Sequence, residues 1–265
     1  MATFSNKKRA FGEQPVSDFN PSNFSAGQIV DAAQAAGLKG LILVAKHHDG
    51  FCLRPTKTTP YPVKNSHWKG GKGDVARAFA DAVRKRGLSF GLYCSPWDRN
   101  NPEYGRPAYV KTYHGQLREL WTPYGPLFEV WFDGAFGGSG YYGGARETRK
   151  IDSRTYYKYL EIFEMLEQVQ PHALPFSEIG PGARWCGNEN GSVNDPCWPT
   201  YIPKYRNSNK LIPIDPKTGK LVEFPNGASS VREGPSGYRP SATFPCIPAG
   251  STLPTRIIRS ALPRT

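Results

Sequence analysis

Four short apolar segments, each following an amphipathic one, constrain the fold of this chain more than any other feature. The strand-like segments are 40–45, 88–94, 127–132 and 173–177, and they begin roughly every 40 residues. The helix-like segments before them are 25–37, 74–87, 109–120 and 155–170. Alternating strands and helices build a parallel sheet covered by helices. We therefore predict an α/β fold, in which Ser25 caps the start of the first helix and Gly37 its end.

Polar residues follow two of these strands directly. The apolar run of the first strand ends at Lys46 and is followed by His47, His48 and Asp49, and the third strand is followed by Asp133. Side chains at the carboxyl ends of parallel strands form the active sites of (β/α)₈ barrels. No GxGxxG motif follows a strand, which counts against a dinucleotide-binding fold. The pattern therefore favours a TIM-like (β/α)₈ barrel with a pocket at this edge of the sheet.

The two histidines leave several roles open. Such side chains bind a metal ion, exchange protons, hydrogen-bond substrate hydroxyls, or simply fill a core. Adjacent residues of a strand point to opposite faces, so His47 and His48 are poorly placed to share one ion. We therefore predict no metal site. We expect both histidines to reach one pocket, where they need not both face the substrate, because alternation favours one of them as a supporting group.

Asp133 is either a catalytic carboxylate or a residue that caps a turn before Gly134. Glycosidases use two carboxyl groups, which are ~5–5.5 Å apart when configuration is retained and further apart when it is inverted. The candidates for the second carboxyl group are Glu178, directly after the last predicted strand, and Glu189. Aromatic rings near strand ends either stack on sugars or pack in the core. The rings in question are those of Tyr93, Trp97, Trp131 and Trp185.

The formal net charge of +12 comes mostly from the C-terminal part of the chain. Residues 203–265 contain ten Lys and Arg against three Asp and Glu, which is +7 of that charge. Because the remainder is ordinary, we predict no nucleic-acid partner. No apolar run approaches the ~18 residues of a membrane helix, so we predict no membrane association. Residues 1–9 lack the apolar core of a signal peptide, and the compartment stays open.

Long motifs stand around the predicted strand ends. They are AKHHDGF at 45–51, GLYCSPWDR at 91–99 and FEVWFDGA at 128–135, extended by YYGGAR at 141–146 and RWCGNE at 184–189. In this order they resemble the retaining α-L-fucosidases of glycoside hydrolase family 29. The resemblance covers roughly residues 16 to 200, which is most of the region where strands and helices alternate.

The resemblance implies a (β/α)₈ barrel that uses neither a metal nor an organic cofactor. It implies that Asp133 is the nucleophile and that Glu189 is the acid/base residue, with Glu178 in reserve. The residues that it implies for substrate binding are His47, His48, Tyr93, Trp131, Trp97 and Arg184. The expected partner is a fucosylated oligosaccharide or glycoprotein glycan, and the alternative is a catalytically inactive fucosidase-like fragment or a glycan-binding protein.

Both ends of the chain depart from the family pattern. The first barrel strand of the family ends in a His-Trp-Gly-type motif, and nothing before residue 16 matches it. We therefore expect residues 1–202 to form a partial catalytic barrel that lacks the first strand and the last βα units. We expect residues 203–265 to be a Pro-rich, basic and irregular tail.

A shifted reading frame is our hypothesis for residues 241–265. This segment contains no acidic residue and no sustained hydrophobic period. One codon choice for Pro240 to Thr265, read two bases later, encodes Asp-Val-Ser followed by Pro-Gly-Trp-Phe-Tyr, which resembles the next segment of the family. A shift of frame also explains part of the positive charge without a nucleic-acid partner.

Overall fold

The computed structural model describes residues 15–134, 137–153, 155–177, 182–186 and 246–248. Its helices are α1 (Ala26–Ala35), α2 (Val75–Lys85), α3 (Pro107–Trp121) and α4 (Tyr159–Val169). Its strands are β1 (Gly40–Lys46), β2 (Ser89–Cys94), β3 (Glu129–Trp131), β4 (Gly137–Tyr142), β5 (Ala145–Lys150), β6 (Leu174–Phe176), β7 (Arg184–Cys186) and β8 (Cys246–Pro248). Short 3₁₀ helices span Val16–Asp18, Val63–Asn65 and Trp68–Gly71. Within these ranges no helix combines the length and the apolar character needed to cross a bilayer.

The central element is a parallel sheet with the strand order β1-β2-β3-β6. Tyr93 of β2 and Trp131 of β3 are register partners near the carboxyl ends of their strands. A helix precedes each strand in the chain, as the alternation predicts. The prediction of an α/β fold built as part of a (β/α)₈ barrel is confirmed.

The ends of the first two helices are set by local hydrogen bonds. The Ser25 hydroxyl accepts a hydrogen bond of 3.3 Å from the Gln28 amide at the start of α1, and Gly37 follows that helix with φ +82°. The Asp74 carboxylate accepts a hydrogen bond of 2.8 Å from the Arg77 amide at the start of α2. Both capping residues predicted for the first helix are confirmed.

Strands β4 and β5 form an antiparallel hairpin that the strand pattern did not predict. Tyr142 pairs with Ala145 across the two-residue loop Gly143-Gly144, whose φ angles are +63° and +102°. A type I′ hairpin turn requires positive φ at both central residues, and Gly-Gly satisfies this at no steric cost. The pair of glycines was the available signal, but the flanking residues are too polar to resemble a buried strand.

Three residues of the C-terminal segment lie within the described ranges. They form strand β8 (Cys246–Pro248), which pairs in parallel with β7 (Arg184–Cys186). A β-branched residue, Ile247, stands at the centre of this short strand, which favours extended backbone. Because residues 187–245 and 249–265 lie outside the described ranges, the domain boundary at 202 and the shifted frame stay predictions.

Helix α3 supports the carboxyl end of β2 through buried tyrosines. Tyr113 donates a hydrogen bond of 3.0 Å to the Cys94 carbonyl, and Tyr109 donates one of 2.8 Å to the Pro96 carbonyl. Buried carbonyl groups that lack a partner cost free energy, so these hydroxyls allow the chain to leave the strand inside the protein. The loop after β2 is thereby held against the helix layer.

Glu129 of β3 is a buried carboxyl group two residues before Trp131. Burial raises the pKa of Glu129 to about 7, because the charged form loses its hydration. The side chain is therefore largely protonated below neutral pH, and β3 brings a titratable group into the interior of the sheet.

Replacing Glu129 with Gln should remove a pH-dependent loss of stability. The folded protein keeps the proton up to about pH 7, whereas the unfolded chain releases it near the ordinary value of 4.5. The contribution of Glu129 to the free energy of unfolding therefore falls as the pH rises through this window, by about 3 kcal/mol at ~1.4 kcal/mol per pKa unit. Urea unfolding of the parent and Glu129→Gln at several pH values measures the difference.

The exposed Glu167→Gln is the matched control, since it removes the same charge from the surface of α4. When the free energy of unfolding is plotted against pH, the curve of Glu167→Gln should run parallel to that of the parent protein. A Glu129→Gln curve that also runs parallel between pH 4.5 and 7 would contradict the assignment.

Candidate active site

Three loops meet at the carboxyl edge of the sheet. His47 and His48 follow β1, Ser95 and Trp97 follow β2, and Asp133 follows β3. Because the strands are parallel, the residues that leave them lie next to each other. The residues predicted from the strand ends therefore gather in one pocket.

The carboxylate of Asp133 stands at the centre of this pocket. Its Oδ2 accepts a hydrogen bond of 2.6 Å from the Tyr93 hydroxyl, and its Oδ1 lies 3.7 Å from Nε2 of His48. Burial, followed by the proximity of Asp133, raises the pKa of Tyr93 well above its ordinary value. The hydroxyl is therefore a permanent donor that holds the carboxylate in one orientation.

Both histidine rings lie in the pocket, and which of them contacts a substrate stays a prediction. Their ring centroids are 4.1 Å apart, and the His47 ring is stacked on Tyr93 at 5.8 Å. Alternation applies only inside a strand, and β1 ends at Lys46. After that residue the chain turns, with the Gly50 amide hydrogen-bonded to the His47 carbonyl.

The two imidazoles are neutral near neutral pH. Burial lowers the pKa of His48 to about 4, and this effect outweighs the opposing attraction of Asp133. Burial also lowers the pKa of His47, again against the effect of Asp133. Neutral imidazoles both donate and accept hydrogen bonds, which suits them to sugar hydroxyls.

The side chains of His47, His48 and Asp133 are also of the types that ligate metals. Their nearest ligand atoms lie within 4.8 Å of one another. Zinc ligands at ~2.1 Å from a tetrahedral ion are only ~3.4 Å apart. The spacing of the three side chains is compatible with hydrogen bonds to a substrate as well as with an ion, and the expectation of no metal site stays a prediction.

Aromatic rings form two walls of the pocket. The Trp131 ring meets Tyr93 edge-on at 5.4 Å and lies 4.7 Å from Phe176. On the other side the Trp97 ring lies 5.0 Å from His48, and its Nε1 donates a hydrogen bond of 3.2 Å to the Tyr142 hydroxyl of the β4–β5 hairpin. Rings in such positions present apolar faces on which a sugar ring can stack.

A buried ion pair between Lys46 and Asp98 supports the loops that form the pocket. The Lys46 ammonium lies 3.6 Å from Asp98 Oδ2 and donates hydrogen bonds of 3.0 Å to the Tyr109 hydroxyl and to Gln116 Oε1. The other oxygen, Asp98 Oδ1, accepts the amide of Asn101 at 2.9 Å. These contacts connect the end of β1 to the loop after β2, which carries Trp97.

Gly50 allows this pair to form. It has φ +80°, and a Cβ built on it overlaps the Asp98 carboxylate. Only glycine combines the left-handed backbone with this close approach. The turn after the two histidines therefore packs directly on the ion pair.

Ser95 is the residue at this site that the sequence patterns missed. Its buried hydroxyl lies 2.7 Å from His48 Nδ1 and donates a hydrogen bond of 2.9 Å to the Trp97 carbonyl. A serine just past a strand has no periodicity to mark it. The available signal was its position, directly after Cys94 at the end of β2.

Six of the predicted site residues are brought together. They are His47, His48, Tyr93, Trp97, Trp131 and Asp133. Glu178 and Glu189 lie outside the described residues, so the acid/base assignment stays a prediction. Arg184 is described only as backbone of β7, and its role in substrate binding also stays a prediction.

Comparisons with known proteins all lead to one family. The Alpha-L-fucosidase family matches residues 3–186 of this chain. "Alpha-L-fucosidase 1" of Arabidopsis thaliana is 40% identical over 200 residues, and "Putative alpha-L-fucosidase 1" of Oryza sativa subsp. japonica is 42% identical over 196 residues. A crystal structure of a glycoside hydrolase 29 family member from an unknown rumen bacterium is similar at TM-score 0.70 with 48% sequence identity.

These matches cover most of this chain and a smaller part of each relative. The Arabidopsis and rice alignments include 75% and 74% of this chain, but 37% and 35% of those proteins. The alignment with the bacterial structure covers 77% of this chain and 37% of the bacterial chain. The chain therefore spans about a third of the length of the curated relatives that it matches.

The packing of Gly50 on Asp98 can be tested with two alanine substitutions. Gly50→Ala and Gly37→Ala both place a side chain at positive φ, which costs about 1 kcal/mol of stability. Only Gly50→Ala also overlaps the Asp98 carboxylate, whereas nothing lies within 4 Å of a Cβ on Gly37. We expect Gly50→Ala to lower the free energy of unfolding by about 2 kcal/mol more than Gly37→Ala. Equal losses in urea unfolding would show that the turn does not depend on Asp98.

Proposed function

Because this chain belongs to the alpha-L-fucosidase family, we propose that it releases α-L-fucose from fucosylated glycans with retention of configuration. The observation that carries the proposal is the Asp133 carboxylate, oriented by the Tyr93 hydroxyl at 2.6 Å and flanked by two neutral histidines. A carboxylate with this support suits nucleophilic attack on an anomeric carbon.

The proposed reaction takes two steps. In the first, an Asp133 oxygen bonds to the anomeric carbon while Glu189, as a carboxylic acid, gives its proton to the departing glycosidic oxygen. The product is a fucosyl ester of Asp133 with inverted configuration. In the second step Glu189, now a carboxylate, removes a proton from water, which attacks the same carbon and releases fucose and Asp133.

Neutral side chains suit the binding of the sugar in this reaction. A positive imidazole beside Asp133 would stabilise the carboxylate and weaken it as a nucleophile. Burial keeps His47 and His48 neutral, so both can bond to hydroxyl groups without this penalty. Trp97 and Trp131 supply apolar surface at opposite sides of the pocket, and Arg184 is proposed as a further contact.

The nucleophile is tested by removing the Asp133 carboxylate. Asp133→Gly should lower hydrolysis of an aryl α-L-fucoside by the purified chain ~10⁴-fold or more, as expected for loss of a covalent catalyst. Azide should partly restore turnover in this variant and give a β-fucosyl azide, because the small anion enters through the vacated space. The exposed Asp81→Asn is the control and should keep the parent rate.

A loss smaller than about tenfold in Asp133→Gly would reject Asp133 as the nucleophile. A parent chain that binds fucosides and never hydrolyses them would instead support the glycan-binding alternative. Binding measured by calorimetry beside the hydrolysis assay separates these two results.

The acid/base residue is tested through its dependence on the leaving group. Glu189→Ala should slow substrates with poor leaving groups far more than activated aryl fucosides, since only the former need a proton on the departing oxygen. Glu178→Ala is the paired variant and should affect both substrate types alike. If the dependence appears in Glu178→Ala and not in Glu189→Ala, the two roles must be exchanged.

A further inference from the structure

Ser95 joins three parts of the pocket through one hydroxyl group. The hydroxyl is fully buried, 2.7 Å from His48 Nδ1 and 2.9 Å from the Trp97 carbonyl oxygen. It also interacts with the Tyr93 hydroxyl, which donates its own proton to Asp133. The direction of each hydrogen bond therefore depends on where the hydroxyl proton of Ser95 and the ring proton of His48 lie.

The protons can be assigned one at a time. A carbonyl oxygen only accepts, so the contact with Trp97 uses the single Ser95 proton. The Tyr93 oxygen and His48 Nδ1 are the other possible acceptors for that proton. With the Ser95 proton on the Trp97 carbonyl at 2.9 Å, Ser95 has none left for His48, and the 2.7 Å contact makes His48 Nδ1 the donor.

The protonation of Nδ1 determines whether Nε2, the other nitrogen of the His48 ring, donates or accepts a hydrogen bond. A neutral imidazole carries one proton, so a donor at Nδ1 makes Nε2 an acceptor. Nε2 lies 3.7 Å from Asp133 Oδ1, and a carboxylate oxygen is an acceptor as well. Two acceptors side by side favour a ligand that brings its own donors, such as the hydroxyl groups of a sugar.

We propose that Ser95 is a positioning residue that fixes the Nδ1–H tautomer of His48 and so makes Nε2 an acceptor for one hydroxyl of the substrate. The selectivity part of this proposal rests on the proposed function. The site then selects sugars with a free hydroxyl at that position, because a deoxy or O-methyl analogue leaves the partly buried Nε2 without a donor. Ser95 acts through His48 and need not touch the sugar.

The tautomer is measured directly by nuclear magnetic resonance on the full chain with ¹⁵N-labelled histidine. The signals of His48 are assigned by their loss in His48→Asn. We expect Nδ1 to be protonated and Nε2 to be unprotonated at neutral pH. A protonated Nε2 in the parent chain would overturn the proposal whether or not the chain is an active enzyme.

Three serine variants separate positioning from folding. Ser95→Ala should shift His48 toward the other tautomer, and Ser95→Thr, which keeps a hydroxyl, should restore the parent pattern. Ser66→Ala is the matched control, because it removes a buried serine hydroxyl that bonds the Val63 carbonyl in another loop. An unchanged His48 tautomer in Ser95→Ala would contradict the role of Ser95. If that variant does not fold, the spectra of the parent and Ser95→Thr still decide.

Selectivity is measured with methyl α-L-fucoside and its monodeoxy and mono-O-methyl derivatives, using calorimetry. In the parent chain, loss of the hydroxyl that meets Nε2 should weaken binding about tenfold. In Ser95→Ala the same change should cost less than about threefold, while the other positions keep their effects. Unchanged discrimination at every position would refute the selectivity. Absence of any fucoside binding would reject the proposed function, while the tautomer result would still stand.

Discussion

The Lys46 ammonium, buried at the end of β1, is the constraint on which the rest of the site depends. A buried charge without compensation costs about 3–5 kcal/mol, so the protein must bring partners to it. Asp98 supplies the opposite charge, and Tyr109 and Gln116 of α3 supply hydrogen-bond acceptors. The end of β1, the loop after β2 and the helix behind them are thereby held at one point.

The turn after β1 and the loop after β2 both form the pocket, and both are held by the Lys46–Asp98 pair. Immediately after Lys46 the chain turns through the two histidines to Gly50, which packs on Asp98. The loop that contains Asp98 begins at Ser95, whose hydroxyl reaches back to His48. Interactions that secure the fold therefore also set the orientation of the imidazole beside Asp133, and stability and geometry at this site are difficult to alter separately.

Much of the fold was predictable from the sequence, because apolar periodicity and helix caps are local signals. The same signals placed Asp133 and the histidines at strand ends. The alternation of side chains along a strand was a poor guide to His47 and His48. It suggested opposite directions for the two rings, but it applies only within a strand, and β1 ends at Lys46. Periodicity also has no means of identifying Ser95, because its role depends on a ring nitrogen 47 residues away along the chain.

The β4–β5 hairpin is attached to the rim of the pocket partly through its backbone. The amides of Tyr141 and Gly143 donate to the carbonyls of Arg99 and Asn100, at 2.7 and 2.9 Å. Such bonds do not depend on the identity of the side chains that flank them. Outward-facing residues of the hairpin can thus be exchanged during evolution without loss of its attachment, while the residues around Asp133 have no such freedom. The sequence of the hairpin and the sequence around Asp133 can therefore diverge at different rates.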